Sequence, residues 1–420
     1  MIYLVMTPFA IGMGVYLVPR QIGAPGIALP RLTLLGYWLY VLGALTLLAG
    51  FAIPTGAAAD GWFSYPPMAD SEHSPGAGTD LWIVGVFLAV TGTILMGWAV
   101  LWTVLRRRTH GMTMLRLPVF CWAMIATCLV MFFPYLAAVA EVLAVFSGRR
   151  FFGYRGTALS LLVFAALSMS VWGHHMFATG QAANDYYSLT SMALLVPAGV
   201  EYFGMLGTLV GGRLRLRTPM LFALAFVPQF LIGGLTGIMV GTPVIDYHVT
   251  DSYFVVAHLH YVLFAGSAFG LFAAVYFWFP KVTGTALDEG MSRLHFWLLV
   301  IGTNLTFLPM FALGYLGMPR RVATYAVFDG FGLLNLLATI GAAFLAAGMT
   351  VFAVNVLWTL RRRSLGRAEP AGADPWDAHT LEWATTSPPP RLNFPADRPP
   401  PPVSSFAPLL DLRRRERSAP

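Results

Sequence analysis

Ten apolar stretches, each close to or beyond the length needed to cross a bilayer, constrain this chain more than any other feature. They run near residues 1–18, 33–54, 81–105, 117–147, 157–178, 188–210, 218–240, 253–279, 293–314 and 332–360. About 20 apolar residues suffice for a helical span. In hydrocarbon a helix satisfies its own backbone groups, so the expected fold class is an all-α polytopic membrane protein, a bundle of about ten transmembrane helices. Only 11% of residues are charged and the mean hydropathy is +0.68, which leaves too few polar side chains to cover a water-soluble globule. The first residues carry no basic segment and run directly into apolar sequence, so Met1 is expected to lie inside a span.

The domain organisation follows from one composition shift. Residues 1–360 form the transmembrane domain. From about Arg361 the chain becomes rich in Pro and Arg, as in SPPPRLNFPADRPPPP, so residues 361–420 are expected to be an extended or disordered tail. The net charge of +7 sits mostly in loops and tail and reads as a topology signal; no basic-aromatic module for nucleic acid is present.

Loop charge orients the bundle. Arg20 with Arg31, Arg106 to Arg108 with Arg116, Arg213 to Arg217, Lys281 with Arg293, and Arg361 to Arg363 belong on the cytoplasmic side, whereas loops 55–80, 179–187 and 241–252 contain no Lys or Arg and belong outside. Two places break the alternation. Arg320 and Arg321, in GMPRRVATY, fall in an outer loop, which points to a specific anionic partner such as heme propionates. Residues 117–147 have basic flanks at both ends, yet two full spans and a turn need about 40 residues. Either a short re-entrant hairpin turns near Pro134 or the charge rule is violated there.

Four histidines lie in apolar sequence: His174 and His175 in VWGHHMF, and His258 and His260 in YFVVAHLHYVLF. Ionisable residues inside a membrane are costly and functional by default, so four argue for metal or heme ligation. At 100° per helical residue, His258 and His260 face opposite flanks and suit two different groups. His174 and His175 are about 100° apart and suit one copper or zinc on a single helix face. Cys121 and Cys128 read as core residues. His73, His110, His248, His295 and His379 read as structural or solvated.

In these blocks the chain resembles subunit I of the heme-copper terminal oxidases. The resemblance is carried by IGAPGIALPRL (22–32), GMTMLRLPVFCW (111–122), VWGHHMF (171–177), GGLTGIM (233–239), TDSYFVVAHLHYVLF (250–264), FWLLVIGTNLTFLPM (296–310), GMPRR (317–321) and DPWDAHTLEWATTSPPP (374–390). It implies copper ligation by His174 and His175, His258 as proximal ligand of a high-spin heme, and His260 as an axial ligand of a low-spin heme. Arg320 and Arg321 match the propionate-binding pair. The implied reaction is reduction of O2 to water with electrons from cytochrome c or a similar donor, coupled to proton translocation. The implied partners are a copper-bearing subunit II and other oxidase subunits in a bacterial plasma membrane, with the tail cytoplasmic.

The sequence also departs from the family pattern. The family's first helix, next to the second low-spin heme ligand, has no counterpart, so that ligand must come from elsewhere. The sixth-helix His-Pro-Glu-Val-Tyr segment, with the third copper ligand, is missing; LVMFFPYLAAVAEVLAVFSGRRFFGYRG runs from mid fifth helix to the end of the sixth. Tyr135 and Glu141 in that stretch read as structural. Gly26 and Glu201 stand where the proton routes usually have aspartate and lysine, and Ala198 replaces a hydroxyl. Thr250 replaces a histidine beside Asp251, which puts the accessory magnesium site in question. A catalytically inactive heme-binding relative, or a metal-free proton or ion transporter, are the alternatives that these departures leave open.

Overall fold

The computed structural model describes residues 2–59, 67–130, 135–180, 183–395 and 397–418. Fifteen α-helices occur among them: α1 (Thr7–Gln21), α2 (Pro30–Ala49), α3 (Gly78–Arg106), α4 (Val119–Val130), α5 (Tyr135–Ser147), α6 (Tyr154–Ser168), α7 (Asn184–Ala193), α8 (Leu195–Leu209), α9 (Thr218–Val240), α10 (Pro243–Val249), α11 (Tyr253–Leu259), α12 (Gly266–Thr283), α13 (Glu289–Tyr315), α14 (Gly332–Ser364) and α15 (Pro408–Ser418). A 3₁₀ segment at Trp172–Thr179 and a π turn at His260–Ala265 interrupt the run. Among the described residues there is no strand, only a bridge between Ser252 and Pro319. The fold is an all-helical membrane bundle.

Eight helical stretches of the described residues are long and apolar enough to cross a membrane, against the ten expected. The two others are shorter. α1 has 15 residues, and residues 117–147 divide into α4 and α5, of 12 and 13 residues. At 1.5 Å per residue α4 and α5 each reach only about 20 Å, short of a 30 Å hydrocarbon core, whereas α1 is continued at its start by a π-helical turn at Ile2–Met6. The expected turn near Pro134 falls at 131–134, outside the described residues. The distal ends of the two helices nevertheless meet the same segment: Arg116 donates to the Val403 carbonyl at 3.0 Å, and Arg150 pairs with Asp411. Both basic flanks therefore lie on one face of the bundle, as a short hairpin requires.

α5 is buried along its whole length at the centre, packed on α4, α8, α9 and α12. α2 and α14 form the periphery and expose large apolar side chains such as Trp38, Leu45, Leu333 and Leu357. Apolar burial does not drive association inside lipid, so close backbone approach must hold such helices. A Cβ on Gly36 would lie 2.6 Å from the Gly92 carbonyl oxygen, and one on Gly92 would lie 2.4 Å from that of Gly36. α13 and α14 use Gly341 in the same way, 2.5 Å from the Thr306 amide nitrogen.

Between Leu365 and Ala407 the tail is mostly irregular, and it packs against the bundle. Asn393 donates to the Ala24 carbonyl at 3.0 Å, and Lys281, fully buried, donates to the carbonyls of Ala373, Thr385 and Thr386 at 3.0, 2.9 and 3.2 Å. Arg215 pairs with Asp377 at 3.6 Å. The tail thus ties together the loops that charge assigns to one side. Polar partners on those loops and buried apolar side chains hold it there together: Leu381, Trp383, Val403 and Leu409 join the hydrophobic core, and Phe406 stacks on Tyr154 at 4.0 Å.

His379 makes this docking pH-dependent. Burial, then the nearby Arg413, Arg215 and Arg414, push its imidazole down to about 3. A released tail takes up a proton near 6.5. Docking is therefore at full strength above pH 6.5 and weakens as pH falls toward 3, with about 2 kcal/mol lost by pH 5. For Asp411 burial acts the other way, but hydrogen bonds from Ser405, Arg150 and Ser404 hold its carboxyl below the ordinary value. Its loss is added only below about pH 4. Hydrogen exchange of residues 378–384, corrected for the intrinsic rate, should speed up between pH 7 and 5 in the natural chain and lose that acceleration in His379→Leu, where the raised carboxyl of Glu382 works in the opposite direction. Equal slopes in both would refute this role.

Candidate functional site

The two histidine pairs sit on local geometry that differs from the regular helix the sequence suggested. His174 and His175 lie in the 3₁₀ segment, which kinks at Met176 (φ −125°, ψ 15°), so their convergence does not come from an α-helical face. Their Nε2 atoms are 2.9 Å apart and their rings 4.1 Å between centroids. Gly173 allows this, because a Cβ there would lie 2.3 Å from the ring of Tyr187 on α7.

His258 ends the α-helical part of α11, and His260 opens the π turn. They do face opposite flanks. His258, 8% exposed, reaches Thr236 on α9, while His260 stacks on Phe307 of α13 at 4.3 Å and 20° between planes. α11 is set in place by Ser252, which caps it by accepting from the Phe254 amide at 3.2 Å, and by Phe254 packing edge-on against Phe311 and Tyr315.

The hydrogen bonds around three of these rings fix which nitrogen carries the proton. The Ser191 hydroxyl donates to the Tyr187 carbonyl at 2.6 Å, so it accepts from His174 Nδ1, 2.9 Å away. The Thr236 hydroxyl donates to the carbonyl of Ile232 or Gly233 at 2.8 and 3.0 Å, so it accepts from His258 Nδ1 at 3.1 Å. His260 Nδ1 donates to the Val256 carbonyl at 2.7 Å. Each ring is thereby left with a lone pair on Nε2. Ligating histidines carry this outer partner almost without exception.

His258 lies close enough to His174 and His175 for their charges to interact, and His175 likewise to Arg320. One site therefore gathers three of the four histidines, and His260 points away from it. Two metal bonds of about 2 Å at a right angle place nitrogens about 2.9 Å apart, so His174 and His175 fit a shared ion. Among the described residues no group of three or more His, Cys, Asp or Glu is placed to hold a metal. The pair fits as an incomplete ligand set.

The outer rim is built on strained backbone. Asp251 and Arg321 have φ of 55° and 66°, uncommon for residues with a Cβ. The Arg320 amide donates to the Asp251 carbonyl at 2.8 Å and its guanidinium pairs with the Asp251 carboxylate. The anion found for Arg320 is thus in part a protein carboxylate, yet its buried Nε has no partner among the described residues and leaves room for a further acceptor. Sequence reading passed over Asp246, whose buried Oδ2 also lacks a partner. Burial and then Asp251 push its carboxyl up to about 6. Glu201 is buried and accepts from Ser160 at 3.2 Å. Tyr135 donates to the Met6 carbonyl at 2.7 Å.

The family model for cytochrome c and quinol oxidase polypeptide I matches residues 1–133 and 127–344. A probable cytochrome c oxidase subunit 1-beta of Nocardia farcinica is 42% identical over 92% of this chain and 74% of its own length. Cytochrome c oxidase subunit 1 of Corynebacterium efficiens is 39% identical over 94% and 76%. A probable subunit 1-alpha of Streptomyces coelicolor is 38% identical over 100% and 80%; 470 aligned positions against 420 residues leave about 50 with nothing opposite in this chain. The fold is similar to the cryo-EM structure of a heme-copper terminal oxidase dimer, with a TM-score of 0.60 at 15% identity over 84% of this chain and 73% of that one. Sequence and fold together place this chain in the cytochrome c and quinol oxidase polypeptide I family.

Proposed function

We propose that this chain acts as subunit I of a cytochrome c oxidase, in which His258 would hold an oxygen-binding heme and His174 and His175 would hold a copper ion. When bound, the heme iron and copper would supply an open redox-active position for O2 and the electrons to reduce it. The single observation that carries the assignment is the set of Nδ1 hydrogen bonds that leaves Nε2 of His174, His258 and His260 ready to ligate. His260, on the opposite flank, would hold a second, low-spin heme. Arg320 and Arg321 are the cations we assign to propionates, Arg320 through the guanidinium edge that Asp251 does not take.

The copper set remains two histidines from this chain. The two family-model matches meet at residues 127–133, and about 50 positions of the Streptomyces coelicolor relative have no counterpart here. The break between the two matches supports an internal shortening at the stretch where the third histidine ligand would fall, and the unmatched positions are numerous enough to allow it. Two imidazoles make a weak, open copper site. Cytochrome c as donor, a copper-bearing subunit II, a bacterial plasma membrane and a cytoplasmic tail complete the reading, and the convergence of Arg-rich loops on the tail supports that orientation.

The test is the optical spectrum of the purified oxidase containing this chain, reduced with dithionite, with and without carbon monoxide. A CO-shifted heme band is expected. A heme spectrum indifferent to CO, or no heme at all, would overturn the assignment of His258.

A further inference from the structure

Where the tail meets the bundle, two carboxyl groups are buried against each other. Glu141 on α5 is 7% exposed and Glu382 on the tail is 0% exposed. Gln21, at the end of α1, stands between them: its Nε2 donates to Glu141 Oε2 at 3.0 Å and to Glu382 Oε1 at 3.2 Å. The Cys121 thiol donates to the Gln21 carbonyl oxygen at 3.3 Å, which fixes the orientation of the amide. Glu141 Oε1 accepts from the Phe120 amide at 3.1 Å. Glu382 Oε1 also accepts from Trp278 Nε1 at 3.0 Å and Thr380 Oγ1 at 2.8 Å.

Two features of this cluster leave it short of protons. Glu382 Oε2 is buried and has no partner among the described residues, although Oε1 of the same carboxyl has three donors. Among the described residues no cation forms an ion pair with either carboxyl: Arg20 of α1 and Lys281 of α12 act on Glu382 only at a distance, and Lys281 spends its donors on tail carbonyls. Asp374, the other acid near Lys281, is engaged by Arg413 at 3.2 Å. An ionised carboxylate oxygen that is buried without a donor is far costlier than a neutral one. Two such groups sharing a site do not both ionise.

We propose that Glu141 and Glu382, bridged by Gln21, form a proton-binding site that carries one proton between them, half of it supplied by the tail. The site lies outside the histidine cluster and does not depend on metal binding. It holds one exchangeable proton at the end of the bundle where the tail docks, and it carries that proton as a pair rather than as either residue alone. Burial raises the Glu382 carboxyl against the pull of its three donors, in keeping with this.

Infrared difference spectroscopy of the intact oxidase at pH 7 reads the protonation state directly. Natural chain minus Glu141→Gln/Glu382→Gln should contain one carbonyl stretch of a protonated acid, sensitive to deuterium, together with one pair of ionised-carboxylate bands. Carboxylate bands alone would show both groups ionised, and a carbonyl band alone both neutral; either overturns the proposal. If the double variant does not assemble, Gln21→Leu in the natural background serves instead. Loss of the bridging amide should move the same carbonyl band to higher frequency, and an unmoved acid spectrum would refute the bridge.

Discussion

Replacing His258 with alanine is expected to abolish the CO-induced heme shift and to reduce oxygen consumption to background, while the spectrum of a low-spin heme persists. The imidazole is locked by Thr236 with its Nε2 lone pair free, and Gly237 leaves just enough room, since a Cβ there would lie 3.2 Å from His258 Cε1. Alanine offers no donor atom at that place. His260→Ala should give the reverse pattern, because that ring stacks on Phe307 on the other flank: the CO band stays and the low-spin signal goes. Thr236→Val keeps the shape but removes the acceptor for Nδ1–H. Outer partners of ligating histidines typically contribute 10–100-fold in affinity or activity, so a decline of that order with heme retained is expected. The scheme is refuted if His258→Ala still binds CO normally, or if both histidine variants lose the same band.

Much of this arrangement is legible in the residues, and the missing parts share a cause. Apolar run length gave the bundle, and the two-residue spacing of His258 and His260 gave their opposite flanks. Histidines in apolar sequence pointed to the site because burying an unpartnered ionisable group is expensive. The 3₁₀ backbone at His174 was not legible, since it depends on Gly173 lying against Tyr187, a contact made only after α7 turns back. Nor was the tail. Its Pro-rich composition describes a segment that cannot build a core of its own, but says nothing of a bundle face already lined with Lys281, Gln21 and Arg215. Glu141 reads as a solitary membrane glutamate in sequence; it becomes half of a pair because Glu382, 241 positions later, folds back onto it.

Gly314→Ala is expected to cost this protein its heme, although the residue touches no predicted ligand. A Cβ at this position would lie 2.1 Å from the Phe254 amide nitrogen and 2.5 and 2.6 Å from its Cβ and Cα. Two of those three atoms are backbone, so no side-chain rotation relieves the clash. Either α13 or the first turn of α11 must move, and α11 carries His258 four residues further on. Overpacking of this kind costs about 1–3 kcal/mol even where a core can give, and a ligand tolerates far less displacement than a core does, because a misplacement of about 1 Å at a site can cost roughly 100-fold. Heme content per chain and the CO-reactive band should therefore fall together in Gly314→Ala. Gly332→Ala, in a helix position with nothing within 4 Å, is the matched control and should keep both. Unchanged heme content in Gly314→Ala would mean that α13 does not set the position of α11, and that Ser252 and the bridge to Pro319 hold the histidine helix by themselves.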